Sequence, residues 1–178
     1  MRIISGFLGG RRIHPPQNMQ ARPTTDLAKE GLFNTLQSML DYDDCNCLEL
    51  FAGTGSVSFE LISRGAQHAT LIEKDPLLVS FIKKTAQVFK IEEQIQVVPA
   101  NALQWIQSGG TTYKLIFVDP PYAIPEMKQL PDMILNANLL EQDGLLILEH
   151  TLNVNFENHP NFTKQKKYGT TFFSFFKA

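Results

Sequence analysis

The sequence has no long apolar run, no internal repeat, no low-complexity tract and almost no cysteine: 2 cysteines and 1 tryptophan in 178 residues. Without a stretch long enough to cross a bilayer, or the apolar core of a signal peptide, a soluble cytoplasmic protein is expected. Cys45 and Cys47 are badly placed to pair with each other and have no His-rich motif beside them. Reduced structural thiols are therefore expected rather than a disulfide or a zinc site. His14, His68, His150 and His159 show no ligand spacing, and no metal site is expected. The length fits one domain that buries roughly 70% of its unfolded surface, and a monomer is expected.

A large basic excess is also missing, since the formal net charge is −2. The charge is nevertheless unevenly divided. Residues 1–30 hold Arg2, Arg11, Arg12, Arg22 and Lys29 against Asp26 and Glu30, a net +3, and the remainder carries −5. A basic arm on an acidic body steers phosphate toward one face, although the count alone is equally that of ordinary surface arginines. Lys164, Lys166 and Lys167 read as the solvated face of a strand.

What the chain does contain is alternation. Arg2–Ser5 and Arg11–Ile13 read as a β-hairpin joined by glycine-rich residues. His14 to Pro23 is a loop. Thr24 or Thr25 caps a helix running to about Leu40, with Leu27, Leu32, Phe33, Leu36 and Leu40 on its apolar side. After an acidic connector at Asp41–Asp44, strands at 47–51, 69–73, 95–99, 114–119 and 144–149 alternate with helices at 56–64, 76–89, 102–107 and 126–137. Such alternation predicts a mostly parallel sheet with helices on both faces. The end differs, because Phe162–Tyr168 and Thr170–Lys177 meet at Gly169 with no helix between them, which predicts a closing hairpin and an antiparallel last strand. Residues 1–40 are accordingly an N-terminal extension, and 41–178 a catalytic unit. Trp105 and the phenylalanines from Phe172 to Phe176 are expected in the core.

The first strand ends in Glu49-Leu50-Phe51 and runs into the glycine-rich turn Ala52-Gly53-Thr54-Gly55-Ser56. Glycines there let backbone approach a ligand without a Cβ in the way. The third glycine of a dinucleotide fingerprint is missing, and no Gly-Lys-Ser/Thr follows, so a phosphate cradle is poorly supported. Glu49 would repel a pyrophosphate and attract a cation or an amino group. The second strand ends in Glu73, twenty positions after Gly53, where an acid commonly accepts ribose hydroxyls. A ligand with a ribose, no phosphate and a cationic amino-acid end is S-adenosylmethionine. Asn101-Ala102, after the third strand, is placed either beside an adenine ring or as a helix N-cap.

The fourth strand leads into Asp119-Pro120-Pro121-Tyr122. A carboxylate at a strand end, two prolines that offer acceptors without donors and an aromatic ring make a shelf for a planar exocyclic amine. Standing alone, the same four residues are equally a Pro-Pro turn that ends a strand.

Together the motifs Glu-Leu-Phe-Ala-Gly-Thr-Gly-Ser, Ile-Glu-Lys-Asp, Asn101-Ala102 and Asp-Pro-Pro-Tyr resemble the ordered motifs of amino-methylating, Rossmann-like methyltransferases. Arg2-Ile3-Ile4-Ser5-Gly6, Arg22-Pro23-Thr24-Thr25-Asp26 and Leu32-Phe33-Asn34 make the chain similar to the bacterial small-subunit ribosomal RNA guanine-N2 methyltransferases of the RsmD type, over nearly its whole length. Two positions depart from that pattern: Glu49, where relatives often carry aspartate, and Tyr122, where many have phenylalanine.

The resemblance implies a class I S-adenosylmethionine-dependent fold with a seven-stranded sheet and an N-terminal hairpin and helix extension. It implies methylation of a guanine N2 in 16S ribosomal RNA, free or in an assembling small subunit. Glu49, Phe51, Gly53, Gly55, Glu73, Lys74, Asn101, Ala102 and Asp119 would then line the cofactor site, and Asp119, Pro120, Pro121 and Tyr122 the amine site. Arg2, Arg11, Arg12, Arg22 and Thr24 would contact RNA. The nearest alternative is an adenine-N6 or cytosine-N4 amino-methyltransferase of DNA or RNA. A non-catalytic RNA- or cofactor-binding module would not need Asp119.

Overall fold

In the computed structural model, residues 1–17 and 24–178 are described. Seven strands form one sheet in the order β3-β2-β1-β4-β5-β7-β6. The parallel part comprises β1 (Asn46–Leu50), β2 (His68–Glu73), β3 (Ile95–Pro99), β4 (Tyr113–Val118) and β5 (Leu140–His150). The hairpin of β6 (Phe162–Tyr168) and β7 (Thr171–Lys177) then closes the sheet, with β7 antiparallel to both β5 and β6. The strand order reverses between β1 and β4, and ligands of open α/β sheets bind outside the strands' carboxyl ends at such a point.

The burial pattern of the strands explains the two layers. In parallel strands covered on both faces, alternate residues serve opposite cores. Cys47, Leu71, Leu115, Phe117 and Ile147 face one core with residues of α1 (Asp26–Leu36), α2 (Ser56–Ser63) and α3 (Pro76–Phe89). Leu48, Leu50, Ile116, Val118, Leu146 and Leu148 face the other, with α4 (Ala102–Ser108) and α5 (Leu130–Asn136). Phe173 and Phe175 belong to the first core and Phe176 to the second. Trp105 only packs against the edge of the second core, partly buried.

Three helical expectations change. The first helix ends at Leu36 instead of about Leu40, and Leu27 is 66% exposed, because α1 covers the sheet along one stripe that Leu27 does not share. The fifth helix begins at Leu130, not 126. A helix begun at 126 would put Pro131 in its interior, where the ring clashes with the preceding turn; a start at Leu130 moves it into the first turn, where proline is tolerated. α3 matches its expected span, with the Asp75 side chain accepting from the Leu77 N–H and proline at the helix start.

The N-terminal arm differs most. Its two expected strands reduce to one isolated antiparallel bridge, Arg2 to Arg12, extended by Ile3 N–H to the Arg11 carbonyl and Ile13 N–H to the Met1 carbonyl. Apolar side chains of the arm are not peripheral: Ile3, Leu8 and Ile13 are buried in the core that α1 and α2 share with the sheet. The arm lies along α2. Glu60 accepts the backbone N–H groups of Ile4 (2.7 Å) and Ser5 (3.0 Å), and the Ser63 hydroxyl accepts from Leu8 N–H (3.0 Å). Gly6 sits at φ +80°, and a Cβ there would stand 1.7 Å from the Ser63 carbonyl oxygen, so only glycine fits against this helix end. Glu60 also pairs with Arg64 (2.9 Å) and with Lys29 of α1 (3.7 Å), and the Lys29 and Glu60 side chains are fully buried. Lys29 donates in addition to the Arg2 carbonyl (2.5 Å). Arm, α1 and α2 are thus joined through one buried carboxylate.

Candidate active site

Strand register brings the acids together. Leu50 is level with both Ile72 and Val118, and Val118 with Leu148. The next residue on each strand, in order across the sheet, is Glu73, Phe51, Asp119 and Glu149. Glu49 lies two rungs below, level with Phe117. One sheet edge therefore carries four carboxylates, three of which were anticipated from their strand-end positions.

The glycine turn is built onto this edge. Phe51 takes φ +57° and Gly55 φ +70°. An aromatic residue at positive φ is uncommon, and here it redirects the chain from β1 into the turn. At Gly55 the positive φ strains any L side chain, and a Cβ would in addition stand 2.8 Å from the tip of the Leu71 side chain, so glycine suits the close return of the chain over β2. Glu73 is buried and ties this turn to the start of α3. Its carboxylate accepts from Gly53 N–H (2.7 Å) through one oxygen and from Asp75 N–H (2.8 Å) through the other. Each oxygen keeps a second lone pair, so the acid is aimed but not exhausted. Glu49 accepts the Ser58 N–H (2.9 Å) and the Ser58 hydroxyl, in the first turn of α2. Asn101 caps α4 through Leu103 N–H (3.0 Å) and Gln104 N–H (3.3 Å). Lys74 is exposed and Ala102 buried.

From the sequence alone a strand-end glutamate such as Glu149 is expected to be a solvated acid. It is only 2% exposed. One oxygen accepts the Thr24 hydroxyl (2.8 Å), and Tyr122 OH lies 3.5 Å from the other. Thr24 thus spends its hydroxyl on the acid-lined edge instead of presenting it with the basic arm. Tyr122 is 47% exposed, a ring at the surface with its hydroxyl turned inward.

The remaining arm residues divide. Arg2 lies 3.9 Å from Asp26 at the start of α1. Arg11 is stacked over the Phe89 ring at 5.5 Å, at the end of α3 remote from the glycine turn, about 20 Å along that helix from Pro76. Arg12 is exposed, and Arg22 lies outside the described residues.

The electrostatics of the edge are one-sided. Burial pushes the Glu49 and Glu149 carboxyls up to about 7. Asp119 is pushed well above the usual carboxylate range, first by burial and then by the neighbouring Glu149 and Glu49. Among the described residues no Lys or Arg stands within ion-pair distance of these three acids. A buried cluster of carboxylates without a cation, beside a glycine turn that admits a ligand and an oriented acid at the tip of β2, fits a ligand carrying a ribose and net positive charge.

This sheet order, with an antiparallel seventh strand and an acid-lined edge at the reversal, defines a Rossmann-like class I S-adenosylmethionine-dependent methyltransferase. The family described as Conserved hypothetical protein 95 matches residues 1–177, and the chain belongs to this family of RsmD-type methyltransferases. It is 36% identical over 157 residues to the ribosomal RNA small subunit methyltransferase D of Escherichia coli (strain K12), covering 88% of this chain and 75% of that protein. A Bacillus subtilis (strain 168) protein provisionally named as an rRNA methyltransferase is 30% identical over 183 residues, covering 99% and 98%. A solved Escherichia coli structure, provisionally described as a methyltransferase, superposes with a TM-score of 0.87 at 28% identity over 100% of this chain and 98% of that one.

A pH dependence follows from the raised carboxyls. Between about 4.5 and 7 the folded, ligand-free protein holds protons on Glu49 and Glu149 that the unfolded chain has released. Its stability therefore falls as pH rises through that window and levels off above it. A bound cation favours the ionised acids, so cofactor affinity changes in the opposite sense. We expect it to tighten roughly tenfold from about pH 5.5 to about pH 7.5 if one such proton is released on binding. Calorimetry in buffers of different ionisation enthalpy would count that proton, and a flat affinity with no proton release would remove Glu49 from the cofactor's surroundings.

Proposed function

We propose that the protein methylates the exocyclic N2 amine of a guanine in small-subunit ribosomal RNA, with S-adenosylmethionine as the methyl donor. The observation that carries this reading is the Asp119 carboxylate at the end of β4, followed by two donor-free prolines and an exposed ring, on an edge where no Lys or Arg among the described residues pairs with the buried acids. Glu73 would hold the ribose, the glycine turn the amino-acid portion, and Glu49 would oppose its positive charge. When bound, S-adenosylmethionine supplies an electrophilic methyl group on a sulfonium.

The chain's own residues prepare the amine. A guanine N2 lone pair is delocalised into the ring and is a poor nucleophile. Asp119 and the Pro120 carbonyl accept one N2–H each, which draws the nitrogen toward a tetrahedral shape and frees its lone pair. Asp119 then stabilises the positive charge that develops on nitrogen, a preorganised electrostatic effect. The prolines fix the acceptor positions, so orientation supplies much of the remaining acceleration. The target base must leave its stack, at a cost of a few kcal/mol, and stacking on Tyr122 returns roughly 1–3 kcal/mol. Arg2, Arg12 and Arg22 would contact RNA phosphates.

Nucleoside mass spectrometry tests the reading. Small-subunit RNA from cells lacking the gene should lose one N2-methylguanosine, and the purified protein should restore it in vitro. Restoration of N6-methyladenosine or N4-methylcytidine instead would transfer the activity to the other amine classes.

A further inference from the structure

Glu149 is the buried acid for which the mechanism above has no use. It sits on β5, the strand next to Asp119, one position beyond the level pair Val118 and Leu148. Neighbouring parallel strands lie about 4.8 Å apart, and residues at one level project to the same side of the sheet. Its partners come from two remote parts of the chain: Thr24, 125 residues away at 2.8 Å, and Tyr122, 27 residues away at 3.5 Å. Thr24 directly precedes the α1 N-cap Thr25 and directly follows Arg22-Pro23. Tyr122 presents an exposed ring whose hydroxyl is turned toward the same carboxylate. A buried acid needs hydrogen-bond donors, and both of these come from segments that flank Asp119: the start of α1 and the turn after β4.

We propose that Glu149 is the positioning residue of the amine site: through Tyr122 and Thr24 it fixes the aromatic wall and the start of α1 around Asp119, and its carboxylate is the second negative charge of that site. The proposal rests on Asp119 being the acceptor of the target amine, as set out above. Tyr122 adds something a phenylalanine would lack, because its hydroxyl anchors the ring and reduces the orientations a stacked base must select. The charge has a separate consequence. Adjacent carboxylates oppose each other's ionisation, and the two titrate as a pair. The groups acting on the pair are Glu49 from β1, Tyr122 from the turn after β4 and Thr24 from the start of α1. Lys29 of α1 acts on Glu49 from further away. The neighbouring His150 ring turns away, toward the Ser174 hydroxyl (2.7 Å) and the Thr151 carbonyl (2.8 Å).

Glu149→Gln, Glu149→Ala and Tyr122→Phe separate these roles when kcat, KM for RNA and cofactor affinity are measured across pH. Glutamine keeps an oxygen acceptor for one of the two hydroxyls, offers an amide N–H to the oxygen of the other, and loses the charge. In Glu149→Gln the acidic limb of kcat/KM should move down by about one pH unit, with KM for RNA within threefold of wild type. Glu149→Ala should raise KM for RNA about tenfold or more, and Tyr122→Phe by a smaller factor, while cofactor affinity stays within threefold in both. An unmoved acidic limb in a folded Glu149→Gln protein, with kcat and KM as in wild type, would overturn the proposal. Glutamine is nearly isosteric with glutamate, so this arm remains informative if the alanine variant does not fold. Methylated nucleosides identified in the same reactions test the substrate reading separately. A product other than N2-methylguanosine would overturn the guanine assignment and leave the limb shift to decide the role of Glu149.

Discussion

Replacing Asp119 by alanine is expected to lower kcat for methyl transfer by about two to three orders of magnitude, the scale seen when a single preorganised charge-stabilising group is removed. Cofactor affinity should change by no more than a few-fold, because Glu49 and Glu149 keep negative charge at the edge. The split decides between chemistry and binding. A residue that merely completed the cofactor pocket would weaken affinity and leave single-turnover chemistry at saturating cofactor unchanged. Asp119→Asn sharpens the test, since it retains the shape and one oxygen acceptor but cannot oppose positive charge on nitrogen. Turnover near wild type in either variant would sink the role given to this acid.

The second large effect is on stability and concerns Glu60. Removing it leaves the Lys29 ammonium buried without its carboxylate and removes the acceptor for two backbone N–H groups of the arm. Breaking a buried pair from one side costs about 3–5 kcal/mol, and for a chain of this length each kcal/mol lowers the melting temperature by about 2–4 °C. Glu60→Ala should therefore melt about 10 °C or more below wild type, read by circular dichroism or urea titration. Lys29→Met should cost less, because Glu60 keeps Arg64 and the two backbone donors. A Glu60→Ala midpoint equal to wild type would mean that the arm is held by its apolar residues alone.

The strands, the glycine turn and the closing hairpin were legible because each depends on local chemistry: alternating periods, positive φ at glycine, an abrupt lack of helix around Gly169. Asp119 and Glu73 were legible because strand ends in such a sheet converge on one edge. Glu149 obeys the same rule, yet the sequence could not distinguish a solvated acid from one buried under a threonine 125 positions away. Glu60 was equally hidden. In Val57–Arg64 it reads as the polar side of an amphipathic helix, and only the docking of residues 3–13 over that side buries it. The burial of the arm was hidden for the complementary reason. Its arginines are conspicuous, whereas Ile3, Leu8 and Ile13 recur every five residues, a spacing that matches neither the strand period of 2 nor the helix period of 3.6, and Arg11 is drawn to an aromatic ring far from the acid-lined edge. Removing residues 1–13 would therefore take core side chains as well as charges, and cannot isolate a role in RNA binding.

The place of β7 inside the sheet bears on how the protein fails. It is the sole bridge between β5 and β6, so a lesion that frees it detaches two strands at once. β6 carries lysines on a largely exposed face and would be harmless in water. β5 is different, because Leu145–His150 is buried throughout and would be left as an open, flat apolar edge. Such an edge recruits strands from other molecules. A proline at Ser174, in the middle of β7, would then show itself less as lost activity than as insoluble protein and faster turnover by cellular proteases.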